Sequence, residues 1–336
     1  MARRLHRTLA GSWAAVAVAA AAAGCGGASV SSRSNATSAP ATATTSTSSS
    51  THAGAAVNPH RMPLGDGHVT TSAARRGYVF VCRKSNAPGG ASIDGPWIHG
   101  STFDLAAKAS VEGSVRWPTA RFTIRRSRSR LVVSGNDLPT IGVTGTFPIS
   151  PSSTAYRYDR NPNSIRAQSI SYSLPASPRI AARSSCVTGG QIGVAINGVA
   201  IFDGLDAGDR DAVAHEVQDR CGGHPQQQGT YHYHAIPACL TKGDSARTQS
   251  GLVGYAFDGF PIYGPRGDGG RLITNADLDA CHGRVETVTL NGKRVRTYHY
   301  VATLEYPYTI GCFRGMPVRT APPGGGAGPG GPPPWP

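Results

Sequence analysis

From Thr230 to Ala235 the side chains alternate between two chemistries, with Tyr231 and Tyr233 interleaved with His232 and His234. In an extended strand successive side chains point to opposite faces, so this stretch is a ribbon with phenols on one side and imidazoles on the other. Shorter strand-like runs lie at Gly77 to Val81, Ser114 to Trp117, Phe122 to Ile124 and Leu131 to Ser134. Asn136-Asp137-Leu138-Pro139 and Asn161-Pro162-Asn163 separate them as turns. No long amphipathic helix pattern occurs. The clearest helical stripe, Ala212, Val213 and Val217, predicts one short helix from about Asp209 to Arg220. The expected fold class is mainly β: an antiparallel β-rich domain with short helices.

The pattern also repeats. Gly193-Val-Ala-Ile-Asn197-Gly198-Val-Ala-Ile-Phe202 is matched, position by position, by Gly254-Tyr-Ala-Phe-Asp258-Gly259-Phe-Pro-Ile-Tyr263. Asp219-Arg-Cys221-Gly-Gly223 then corresponds to Asp279-Ala-Cys281-His-Gly283, Thr230-Tyr-His-Tyr233 to Thr297-Tyr-His-Tyr300, and Cys239 to Cys312. Each unit, about 192–240 and 253–312, reads as a hairpin with an Asx-Gly turn, a short helix, a Cys-Gly bend, then a Tyr-His-Tyr strand and a second Cys. Two pseudo-symmetric β modules are expected, with Tyr231 and Tyr298 in equivalent buried positions.

The ends of the chain differ in kind from its middle. Arg3, Arg4, His6 and Arg7 precede an apolar run from Trp13 to Ala23 that closes with Gly24-Cys25. A basic head, a short apolar core and small residues describe an export signal over 1–25, and its lipobox-like end makes Cys25 the expected lipidation site. Residues 26–60 are mostly Ser, Thr, Ala and Gly, and 316–336 are rich in Pro and Gly. Neither has hydrophobic periodicity, so both are expected to lack a packed fold, the first serving as a tether. The chain is therefore expected to be exported, held at the outer face of the membrane by a lipid anchor or else secreted. With Cys25 set aside, six cysteines remain for an oxidising compartment: Cys82, Cys186, Cys221, Cys239, Cys281 and Cys312. The repeat favours Cys221 with Cys239, Cys281 with Cys312 and Cys82 with Cys186, although a swapped pairing has the same symmetry.

The formal net charge is +14. Much of it lies in the signal and in Arg121 to Arg130, where Arg and Ser alternate along an exposed strand face. An acidic-polymer site is the other reading of that run; no nucleic-acid partner is expected of an exported chain.

Gly229-Thr-Tyr-His-Tyr-His-Ala-Ile-Pro237, Gly254-Tyr-Ala-Phe-Asp-Gly-Phe-Pro-Ile-Tyr-Gly-Pro265 and Tyr306-Pro-Tyr-Thr-Ile-Gly-Cys-Phe-Arg-Gly315 together resemble the YHYH domain family of exported bacterial proteins. The resemblance extends over about 77–315, since Gly95-Pro-Trp-Ile98 and Gly113-Ser-Val-Arg-Trp117 are similar to its N-terminal part. The second copy reads Tyr298-His-Tyr-Val301 where relatives often carry another full Tyr-His-Tyr-His, so a site drawn from both copies would be incomplete here. The resemblance implies an architecture and no reaction.

The candidate chemistry centres on imidazole. His232 and His234 share a face and His224, behind a Gly-Gly turn, could fold back as a third ligand, with His299 as a further candidate. Three His suit zinc or copper, with Asp219 or Glu216 as carboxylate ligand or orienting partner. The competing reading makes these imidazoles hydrogen-bonded parts of a polar core in a non-catalytic, disulfide-stapled surface module that binds a cell-wall or extracellular partner. Asp203, Asp206, Asp209 and Asp211 could hold calcium, but an acidic solvated loop with helix capping explains them without an ion. His215-Glu216-Val217-Gln218-Asp219 has the outline of a zinc-protease helix with its second His replaced. No nucleophile elbow, phosphate loop or dinucleotide fingerprint is present.

Overall fold

The computed structural model describes residues 57–85, 89–91 and 93–319. The export signal and Cys25, nearly all of the 26–60 tether and most of the 316–336 tail lie outside the described residues. No helix among the described residues is long and apolar enough to cross a membrane.

Ahead of the repeat, β1 (Phe122–Ser127), β2 (Arg130–Gly135) and β3 (Ile170–Pro175) form a three-stranded antiparallel sheet in that order. The run at Gly77 to Val81 contributes a two-residue strand, Val79–Phe80, and a bridge from Val81 to Val187, and Ser114 to Trp117 only a single bridge between Val115 and Thr144.

The repeat builds the main sheet. In the first unit, β4 (Gln191–Ala195) and β5 (Ala200–Phe202) form a hairpin, followed by α1 (Ala212–His215), β6 (Gly223–Pro225), β7 (Tyr231–Tyr233) and α2 (Ala238–Thr241). The second unit supplies β8 (Leu252–Ala256), β9 (Pro261–Tyr263), β10 (Gly283–Leu290) and β11 (Lys293–Val301). The sheet order is β6-β7-β5-β4-β8-β9-β11-β10. It is a palindrome. The central hairpin strands β4 and β8 pair antiparallel, and on each side the hairpin's second strand pairs parallel with the Tyr-His-Tyr strand. The expected internal repeat is thus a pseudo-symmetric sheet.

The local reasons recur in both halves. Gly198 and Gly259 follow the turn Asx residues with φ of +91° and +87°, a backbone region open to glycine at little steric cost. Asn197 Nδ2 donates to the Tyr233 hydroxyl at 2.9 Å, and Tyr300 donates its hydroxyl to Asp258 at 2.6 Å. The other Tyr of each strand is anchored alike, Tyr231 on Asp219 at 2.8 Å and Tyr298 on Asp279 at 3.1 Å. Each of these aspartates also accepts two bend amides, from Cys221 and Gly223 in one unit and Cys281 and Gly283 in the other. The phenol face therefore fills the core while every hydroxyl finds a fixed partner.

The three cysteine pairs are those the repeat favours: Cys221–Cys239, Cys281–Cys312 and Cys82–Cys186, with Cα separations of 5.0, 4.6 and 5.0 Å. The first two close the bend of each unit. The third joins two points of the segment ahead of the repeat, Cys186 lying shortly before β4.

The helix expected over Asp209 to Arg220 is shorter than its pattern suggests. Asp211 caps α1 through the amides of Val213 and Ala214, and the helix stops after His215 because Glu216 is extended, at φ −84° and ψ 148°. Tertiary bonds replace the next turn: the Val217 amide donates to Asp159 at 2.9 Å and the Asp219 amide to the Gly223 carbonyl at 2.9 Å. This break turns His215 and Glu216 toward different partners.

Candidate metal centre

Strand pairing assembles the imidazoles. β6 and β7 are antiparallel with His224 directly opposite His232, so both side chains leave the same face, and His234 follows two residues on. All three are buried, with ring centroids 4.6 Å (His224–His232), 4.8 Å (His232–His234) and 5.4 Å (His224–His234) apart. One ligand atom from each can be chosen so that all lie within 4.8 Å of one another. Phe202, at the end of β5, stacks on His232 at 4.0 Å and holds its ring plane.

Main-chain acceptors determine the tautomers. His232 Nδ1 faces the Thr230 carbonyl at 3.2 Å and His234 Nδ1 faces the Asp203 carbonyl. A carbonyl only accepts, so both Nδ1 atoms carry the proton and, in neutral rings, both Nε2 atoms are bare lone pairs. These lone pairs confront each other at 3.0 Å. Two ligands about 2.0–2.1 Å from one ion, at angles near 90–110°, stand roughly 2.9–3.4 Å apart, so the spacing suits a shared cation.

Charge and burial point the same way. Burial pushes His224 and His232 well below the ordinary imidazole range and His234 down to about 4, so the rings are neutral near pH 7. Glu216 Oε2 lies 3.4 Å from His224 Nε2 and 3.5 Å from His234 Nε2. Burial, with repulsion from Asp206 and Asp159, raises this carboxyl well above the usual range. Both His224 ring nitrogens and Glu216 Oε2 are buried without a hydrogen-bond partner. Leaving such groups unmatched costs about 1–3 kcal/mol each. A divalent ion would offset these costs by bonding neutral imidazoles and favouring the ionised carboxylate. The group borders a cleft of about 1000 Å³, also lined by Asp203, Asn161 and Gln226.

The remaining sequence candidates are placed elsewhere. Asp219 is a structural acceptor for Tyr231 and for the amides of Gly145, Cys221 and Gly223, and is not turned to the imidazoles. His299 occupies the place in the second unit that His232 holds in the first, but the residue opposite it is Arg284 and the residue two positions on is Val301. Its nearest carboxylate is Glu286, at 3.9 Å. Among the described residues, His224, His232 and His234 form the one group of three or more potential ligands.

Of the aspartate loop, Asp206, Asp209 and Asp211 are bound by their own chain rather than arranged around an ion, while Asp203 accepts the Leu205 amide and borders the imidazole cleft. Asp206 pairs with Arg210 at 2.7 Å, Asp209 accepts the Ser85 amide, and Asp211 caps α1 while accepting the Tyr308 hydroxyl. His215 stands between Asp66 and Asp94 at 2.8 and 2.9 Å, so only Glu216 of the protease-like segment reaches the imidazoles. Three contributors escaped the sequence reading, Phe202 and the carbonyls of Thr230 and Asp203. The pairing of Phe202 with Tyr263 in the repeat was the available signal for the first; a main-chain acceptor leaves none.

A buried imidazole outside this group gives a separate test. His282 bonds Thr303 Oγ1 at 3.0 Å, and burial pushes its pKa down to about 3. Its folded-state pKa lies below the unfolded value of about 6.5, so its effect on stability is absent above that pH and destabilising as pH falls toward 3. Between pH 6.5 and 5 the parent is expected to lose about 2 kcal/mol of stability relative to a His282→Asn variant. Urea unfolding of both metal-free proteins checks it; a constant gap would refute the assignment.

Comparison with known proteins agrees with the sequence motifs. No curated protein and no solved structure matches the chain. The stretch matched by a family is shorter than the 77–315 over which motifs are similar, and covers β3, the complete first unit and the first hairpin of the second. Over residues 171–270, with the imidazole group inside it, the chain matches the family described as YHYH protein.

Proposed function

We propose that this chain binds one transition-metal ion, zinc or copper(II), through His224, His232 and His234, with Glu216 as the adjoining carboxylate. The observation that carries the reading is the pair of bare Nε2 atoms of His232 and His234, 3.0 Å apart and held there by carbonyls on their other nitrogens. Imidazole and carboxylate suit both metals, and the absence of thiolate or thioether from this group disfavours copper(I).

The chain's own residues would prepare the site. The Thr230 and Asp203 carbonyls fix two tautomers, Phe202 fixes a ring plane, and Glu216 holds a buried carboxyl beside the imidazoles that a bound ion would favour in its ionised form. A bound ion would supply Lewis acidity toward a ligand entering from the cleft. We place this site on an exported protein, anchored through a lipid on Cys25 or else secreted; the three disulfides support an oxidising compartment. Elemental analysis of protein purified without a His tag tests the metal reading, with about one ion per chain expected from one three-imidazole group. A metal-free protein that takes up neither zinc nor copper would leave the non-catalytic surface module in its place. Replacing Cys25 by Ser is expected to release the mature protein from membranes, and unchanged partition would refute the anchor.

A further inference from the structure

The outer face of the β1-β2-β3 sheet is chemically one-sided. Between Gly113 and Phe202 the sequence has eleven Arg, no Lys and two acidic residues, Asp137 and Asp159. Both carboxylates are buried. Arg121, Arg125, Arg126, Arg128 and Arg130 gather at the β1-β2 hairpin, and the arginine ion pairs among the described residues are made by Arg210, Arg271, Arg284 and Arg314 instead.

Register places the groups. Leu131, Val133, Ile170, Tyr172 and Leu174 are buried on the inner face. On the opposite face Arg125 neighbours Val132 and Ser173, Thr123 neighbours Ser134 and Ser171, and Ser127 neighbours Arg130. On this face Arg130 is held by the Ser173 hydroxyl at 3.0 Å and by the Ser173 carbonyl; Arg126, in register with the buried Leu131, leaves by the other face and reaches the Ala176 carbonyl at 3.0 Å and Ser177 Oγ at 3.2 Å. Arg128 stands at the tip of the turn with φ +52°. The result is a face of guanidinium and hydroxyl donors with no carboxylate among them.

Protecting a sheet edge from aggregation explains Arg125 on the edge strand β1. It does not explain Arg130, which lies on the central strand, or the use of Arg throughout. Arg differs from Lys in presenting a planar fork of donors that matches phosphate oxygens in pairs. We propose that this face binds a linear phosphate-bearing polyanion through its phosphate groups. Membrane insertion would call for apolar wedges, and the strand positions of this face expose one large apolar side chain, Val132. No aromatic residue stands among them to stack a base. The surface is separate from the imidazole group and does not depend on a metal.

Inorganic polyphosphate is the probe, titrated into the full mature protein over a salt series. Binding is expected to weaken linearly in log salt, because each contact releases counterions. The Arg125→Ser, Arg128→Ser, Arg130→Ser triple variant is expected to bind about tenfold or more weakly and to flatten the salt slope by about two to three. Val132→Glu, an exposed substitution that puts a negative charge in the centre of the face, is expected to weaken binding with an unchanged unfolding midpoint, and carries the test should the triple variant misfold. The proposal is overturned if polyphosphate does not bind at low salt, if both variants bind as the parent does, or if phosphatidylglycerol vesicles bind more tightly than the polymer.

Discussion

Replacing His232 and His234 together by Ala is expected to take the bound metal from about one ion per chain to none, because it removes the two Nε2 atoms that face each other at 3.0 Å. The stability response should separate a ligand from a structural imidazole. In the parent, zinc or copper at about 100 times its dissociation constant should stabilise the fold by about 2.7 kcal/mol, and the double variant should show no such gain. Glu216→Gln refines the test. Its carboxyl is raised well above the usual range without metal, so the isosteric amide should leave the metal-free protein nearly as stable. Metal affinity is then expected to fall about 10- to 100-fold if the carboxylate supports the ion. Metal retained by the double variant would refute the site.

Acid adds a direction to the same experiment. Imidazole must be neutral to bind an ion, so metal is expected to be held near neutral pH and released as the rings protonate. Burial places His234 at about 4, below the free value of about 6.5, so release should come well on the acid side. Titration of metal content against pH checks this; release near pH 7 would argue against binding by these rings.

Asp219→Ala is expected to destabilise the fold by about 3 kcal/mol or more, without directly removing a metal ligand. The side chain accepts the Tyr231 hydroxyl and the amides of Gly145, Cys221 and Gly223, so truncation would orphan four buried donors at once. Asp279→Ala, its counterpart in the second unit, should cost less, since that side chain is 37% exposed and water can replace part of what is lost. Urea unfolding of the metal-free proteins measures both. If Asp219 were a ligand instead, an Asp219→Ala protein that remains folded would lose metal, and equal stability losses in the two variants would contradict the burial argument.

The sequence carried the architecture because the repeat is a matter of order and chemistry along the chain. The alternation of Tyr with His already separated a core face from an imidazole face, and the Asx-Gly turns and Cys positions recurred in both units. Cysteine pairing followed from that symmetry, although a swapped arrangement was equally symmetric until spatial neighbours were known. The helix was legible in type and misjudged in length, because its apolar stripe continues to Val217 while the Asp159 carboxylate draws the Val217 amide out of the helix.

The two-faced ribbon, the duplicated unit and the nomination of His224, His232 and His234 were determined by residue types and spacing alone. Register and burial decided the rest. Strand pairing across β6 and β7 sets His224 against His232 and puts Arg284 in the corresponding place against His299, so one unit has the imidazole group and the other does not. The same packing directs Asp219 to Tyr231, His215 to Asp66 and Asp94, and Glu216 to the imidazoles. A carboxylate in sequence has no direction. Its role is set by the donors that the folded backbone brings within reach and by how far water is excluded.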